Sequence, residues 1–179
     1  MPDPIHNELR EKLHHLSQQW MEQGLPTREK LETTVKQLAD WKRQHAVQGL
    51  WPLRPRMVTA TLDDGMGHGL DLIERFAAVL GLSIHHLGLM QRPEPILSAC
   101  HRMVPEFLGL TVLHPGSEDD LARIGNGLPP RTCLIAGGPA FTYDPDMAHR
   151  CAVAHRARNV AYFIDFLLNW TPLNAPTRE

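Results

Sequence analysis

Apolar residues at Ile5, Leu9, Leu13, Leu16 and Trp20 recur three or four positions apart, the spacing of one helix face. Gly24 and Pro26 interrupt that pattern, and Thr27 is placed to cap a second helix with the stripe Leu31, Val35 and Leu38. Trp41 and Lys42 lie at the edge of that stripe. Two amphipathic helices joined by a short turn predict an αα-hairpin over residues 1–50. Such a hairpin can bury its stripes only against the domain that follows or against a partner chain. Residues 51–55 (WPLRP) form a Pro-rich connector.

From Arg56 onward the pattern changes to short apolar runs separated by helical spacing. Strand-like runs occupy 57–62, 83–90, 107–113 and 131–136, with a weaker one at 151–154 (CAVA). Between them Leu70, Ile73, Ala77 and Leu80 trace a helix ended by Gly81, and Pro93 opens another over 94–103. A further helix over 117–124 takes Ser117 as its cap and Glu118, Asp119 and Asp120 in its first turn, where the helix dipole favours them. A short helix is expected at 144–149 and a strongly apolar one at 159–170. Strands alternating with helices build a parallel sheet. The expected class is α/β: a flavodoxin-like, doubly wound, five-stranded sheet over residues 56–179, preceded by the hairpin. Ligands of such sheets sit beyond the carboxyl ends of the strands, here residues 63–69, 88–92, 111–116 and 137–142.

Composition narrows the partners. Hydrophobic residues make up 42% of the chain, enough for a packed core. The 18 Lys and Arg against 20 Asp and Glu leave a net charge of -2, which removes the basic footprint of a general nucleic-acid binder. No apolar run is long enough to span a bilayer, and residues 1–10 lack the apolar stretch of a secretory signal. Cys100, Cys133 and Cys151 read as free thiols of a reducing cytoplasm. The 11 His raise the question of a metal or a tetrapyrrole.

Most of those histidines have structural explanations. His14 and His15 are adjacent on a helix and point apart, and His101 follows Cys100 on another helix. His85 and His86 alternate faces at the end of a strand. His149, Cys151 and His155 have metal-like spacing but straddle a helix end and a strand, and zinc would need a convergent fourth ligand. Catalytic triads, carboxylate pairs and C-x-x-C motifs find no support, so hydrolytic and dithiol chemistry are not indicated. Gly65, Gly67 and Gly69 allow close backbone approach to a bulky ligand. Their G-x-G-x-G spacing departs from the dinucleotide motif and lacks the Lys-Ser/Thr ending of a P-loop.

Three landmarks stand in order: Asp64-x-Met66-x-x-Gly69, then Thr111-x-Leu113 after residues 70–110, then Gly137-Gly138. In that order and spacing the chain resembles the cobalamin (vitamin B12)-binding domain family, whose signature is D-x-H-x-x-G, S-x-L and G-G. The flanking residues 84–88 (IHHLG) and 105–111 (PEFLGLT) resemble the family's second strand and its approach to the third. The resemblance covers residues 56–170 and implies a tetrapyrrole cofactor, cobalamin, held by Asp64, Gly65, Met66, Gly67, His68, Gly69, Thr111, Leu113, His114, Gly137, Gly138 and Pro139.

One departure matters. Where the family places its cobalt-ligating His stands Met66, a soft and weak ligand. Asp64, which would orient that imidazole, loses its partner. The cobalt would then be base-on or without a protein lower ligand, with His68 and His114 as alternative metal ligands. Only two helices precede the sheet, half of the bundle that caps methyl-carrying corrinoid proteins, so a homodimer or a partner protein could supply the rest. The implied function is a cobalamin-binding sensor or corrinoid-carrier module, non-catalytic by itself. Alternatives are the methyl-carrying subunit of a methyltransferase system, a haem-binding sensor on the same scaffold, and a cofactor-free interaction domain. Nucleic acid and membrane are not expected partners.

Overall fold

The computed structural model describes residues 4–172; residues 1–3 and 173–179, the outer ends of the hairpin and of the sheet domain, lie outside the described part. Helices α1 (Pro4–Gln23) and α2 (Arg28–Gln44) form the hairpin. Thr27 caps α2 as its position suggested, its hydroxyl accepting from the Lys30 amide at 3.3 Å. Leu9, Leu13, Trp20, Leu31, Val35 and Leu38 are all buried; the side chain of Ile5 lies outside the described residues. The stripes are covered by the chain itself: α1 packs along α8 (Val160–Asn169) and α2 against α3 (His68–Leu80). Trp20 meets the ring of Phe76 on α3 edge-on at 5.8 Å.

Five parallel strands follow: β1 (Arg56–Thr61), β2 (Ser83–Gly88), β3 (Phe107–Thr111), β4 (Cys133–Gly137) and β5 (His155–Ala157). Their spatial order is β2-β1-β3-β4-β5, the doubly wound order expected. Helices α4 (Pro93–Met103) and α5 (Glu118–Gly127) cover one face, and α3 and α8 the other. Of the short helix expected over 144–149 only the second half is helical, in α7 (Met147–Arg150), and another short helix, α6 (Ala140–Tyr143), precedes it. Among the described residues no helix is long and apolar enough to cross a membrane.

Two local expectations are corrected. The fifth strand is His155–Ala157, not the apolar 151–154 run. Cys151 closes α7, and Ala152 takes a left-handed conformation (φ 55°) packed against Gly125. A Cβ on Gly125 would stand 1.9 Å from the Cys151 carbonyl oxygen, so this run is a turn packed closely against α5. The second correction concerns Ser117. It precedes α5 but does not cap it, because its hydroxyl donates to Asp63 Oδ2 at 2.7 Å instead.

The sheet's two faces differ in side-chain size. Toward α4 and α5 the strands present Val58, Ala60, Leu108, Leu110, Leu134 and Ala136, packed along their whole length. Toward α3 and α8, bulk ends halfway. Met57, Phe107 and Cys133 fill the amino-terminal half. The next rungs are Thr59, Gly109 and Ile135, then Thr61, Thr111, Gly137 and Ala157 in register. Small residues on the carboxyl-terminal half of this face leave the helices nothing to pack against, so a space opens there.

Candidate functional site: a cleft at the carboxyl ends of the strands

That space is a cleft of about 320 Å³ between the sheet and helices α3 and α8. It has the shape expected of a small-molecule site at the carboxyl edge of a doubly wound sheet. Of the residues singled out from sequence, Asp64, Gly69, Thr111, Leu113, Gly137, Gly138 and Pro139 line it. Gly65, Met66, Gly67, His68 and His114 do not. Met66 is 70% exposed, and His68 and His114 are exposed as well. Among the described residues no group of three His, Cys, Asp or Glu is arranged to hold a metal ion. Cys151 donates to the Glu118 carbonyl at 3.6 Å, and burial pushes its thiol pKa up, which disfavours the thiolate a metal would need.

The loop after β1 is built around its two aspartates. Asp64 is buried, and its Oδ1 accepts from the amides of Met66 at 2.8 Å and Gly67 at 3.1 Å. This closes an Asx turn. The Asp64 carbonyl accepts from the Thr61 hydroxyl at 2.5 Å, and that hydroxyl accepts from the Met90 amide at 2.9 Å. Gly67 sits at φ 68°, a left-handed conformation that favours glycine, with Leu89 Cδ2 packed 2.7 Å from where a Cβ would stand. The carboxylate that would orient an imidazole at position 66 is thus committed to the backbone, and the Met66 side chain turns to solvent.

Asp63 ties this loop to the end of β3. Its Oδ1 accepts from the Leu113 amide at 2.6 Å, and its Oδ2 from the His114 amide at 2.9 Å. Together with Ser117 this fixes the Thr111–Leu113 wall of the cleft. On the next loop Gly138, at φ 120°, crosses Val112 so closely that a Cβ would lie 2.2 Å from the Val112 carbonyl oxygen. The two glycines of the pair are therefore there for close passage of backbone beside backbone.

The cleft's lining is mostly apolar: Leu70, Leu72 and Ile73 from α3, Val160 and Phe163 from α8, and Leu25 from the turn of the hairpin. Its charged members are Asp64 and Arg158. Sequence reading missed Asp63, Leu25, Arg158 and Asn159. Asp63 had a signal in its place beside Asp64. Asn159 had one as the polar residue before an apolar helix, and it caps α8 by accepting from Ala161 N at 2.9 Å. Arg158 was hidden by the misplaced fifth strand, which set the strand's carboxyl end several residues too early.

No protein-family model and no curated protein sequence matches the chain. Solved structures do. A cobalamin-binding protein of Desulfitobacterium hafniense superposes with a TM-score of 0.78 at 16% identity, over 93% of this chain and 82% of that one. A monomethylamine corrinoid protein of Methanosarcina barkeri gives 0.57 at 16% identity, over 90% and 95%. The methanol:cobalamin methyltransferase complex of the same organism gives 0.62 at 15% identity, over 93% of this chain and 67% of that one. At such identity the likeness is one of fold: this chain has the fold of the cobalamin-binding proteins, hairpin included.

Proposed function

We propose that this chain binds cobalamin, with the nucleotide tail in the cleft and no protein imidazole toward the cobalt, and that it serves as a carrier or sensor module. The observation that carries the reading is the cleft itself. Its volume is made by the small residues of one sheet face, its lining suits a flat aromatic base, and the structures it resembles are those of cobalamin and corrinoid proteins. Gly69 supplies the test of fit. It lies in the first turn of α3 and lines the cleft, and a Cβ there would meet no atom within 4 Å. The space beside it is left open by the protein. A tail in this cleft would leave the base off the cobalt.

When bound, cobalamin supplies the cobalt-centred chemistry, whether group transfer or ligand exchange. The chain's part is to hold and to screen. Leu70, Ile73, Val160 and Phe163 would exclude water from the base, while Thr111, Gly137 and Gly138 would pass it at backbone distance. The carrier reading draws on the monomethylamine corrinoid protein and the methanol:cobalamin methyltransferase complex among the resembled structures. Met66 is exposed and offers no imidazole, so this chain would leave a bound cofactor's cobalt without a protein nitrogen ligand from position 66, which suits a module whose cofactor is read or reloaded by a partner.

The test is visible spectroscopy after gel filtration of protein mixed with hydroxocobalamin, and separately with hemin. A corrinoid spectrum co-eluting with the protein is expected. A colourless protein, or a Soret band in place of a corrinoid spectrum, would overturn the reading. The variant Gly69→Leu sharpens it. Replacing a helix glycine stabilises the apo fold by up to ~1 kcal/mol, yet the new side chain fills the cleft, so cobalamin binding falls while the melting temperature does not.

A further inference from the structure

We infer that Arg158 is the residue by which the cleft recognises the phosphate of its ligand, so that the chain selects complete corrinoids over those lacking the nucleotide tail. This rests on the cobalamin reading above and adds a specificity determinant to it. Arg158 follows directly on β5 and lines the cleft at its mouth. It is exposed and pairs with no carboxylate among the described residues. Its guanidinium lies 5.5 Å from the centroid of the Tyr162 ring in the first turn of α8, a cation–π contact that holds the group in place without consuming an N–H donor.

The competing donors and charges are already engaged. Asn159 Oδ1 takes the amides of Ala161 and Tyr162, so the start of α8 is capped from within. The other charged residue of the lining, Asp64, has Oδ1 bound to two backbone amides. What remains is an apolar cleft with one cation whose donors are free at its mouth. The ligand that fits is a flat apolar body carrying a single anionic group a short distance from it. A benzimidazole linked through ribose to a phosphodiester has that form, and a guanidinium is the side chain best suited to its oxygens.

The experiment measures equilibrium binding of hydroxocobalamin and of cobinamide, which lacks the nucleotide, to the full chain and to its Arg158→Ala and Arg158→Lys variants. The apo melting temperature of each variant serves as the check on folding. Arg158→Ala is expected to weaken cobalamin by about tenfold or more, to leave cobinamide unchanged, and to flatten the dependence of cobalamin affinity on salt. Arg158→Lys should retain part of the affinity. Equal cobalamin affinity in wild type and Arg158→Ala, or equal losses for both ligands, would remove Arg158 from this role while the cobalamin reading stands. A wild-type chain that binds no cobalamin would overturn that reading and this inference with it.

Discussion

Met66 and Asp64 show how one loop divides its work between a carboxylate turned inward and a thioether turned outward. With a thioether at position 66, the Asp64 carboxylate holds the turn together through the amides of Met66 and Gly67, and Met66 is left 70% exposed. Met66→Ala should therefore change cobalamin affinity by less than about twofold, since an exposed side chain without partners contributes little. Met66→His places an imidazole on the loop that Asp64 already fixes, and the visible spectrum of bound cobalamin should shift if the lower face gains a nitrogen ligand. An unchanged spectrum in Met66→His would mean that position 66 faces away from the cobalt. The residues legible in the sequence were those whose identity is dictated by backbone geometry, such as Gly67 and Gly138, or by their spacing, such as Thr111. Arg158 and Leu25 were not, because nothing local marks them: each reaches the cleft only through tertiary placement of a strand end or a helical turn.

At the scale of elements, the strands buried on both faces were readable as continuous apolar runs, while β5 was not. It is an edge strand with a single neighbour, so its sequence His155–Ala157 is mostly polar, and the more apolar run before it packs as a turn against Gly125. Within β5, His155 stacks on Phe166 of α8 at 4.2 Å with the rings 13° from parallel, and its Nε2 is buried without a partner among the described residues. Burial holds its pKa below the ordinary 6.5. The unfolded chain then takes up a proton near pH 6.5 that the folded chain refuses, so stability is present above that pH and is lost as pH falls. His155→Phe keeps the stack and removes the titration. Its denaturation midpoint should gain steadily on the wild type's as the pH is lowered from 7 to ~5. Parallel curves for the two proteins over that range would contradict the assignment.

For the whole molecule, the hairpin is part of the same core as the sheet. Leu9 and Leu13 are wholly buried in one cluster with Phe76, Phe107, Phe163 and Trp170. Arg10 donates to the Leu168 carbonyl at 2.5 Å, Gln18 to Asp165 at 3.1 Å, and Arg28 to the His68 carbonyl at 2.9 Å. The last of these bonds fastens the start of α2 to the first residue of α3, beside the glycine that opens the cleft, and Leu25 in the adjoining turn forms part of the cleft's lining. A hairpin bound in this way cannot come away from the sheet without exposing the apolar faces of α3 and α8. Leu13→Ala should therefore cost ~2–5 kcal/mol, the range for truncating a fully buried leucine. The loss should appear as one cooperative transition, displaced equally in far-UV and near-UV circular dichroism. A biphasic melt, with helical signal lost before the aromatic signal of Trp51 and Trp170, would show that the hairpin unfolds by itself. On the cobalamin reading, cobalamin should raise the midpoint of that single transition in Leu13→Ala and in the wild type alike, because the cleft takes walls from both the hairpin turn and the sheet and a ligand there stabilises the two together.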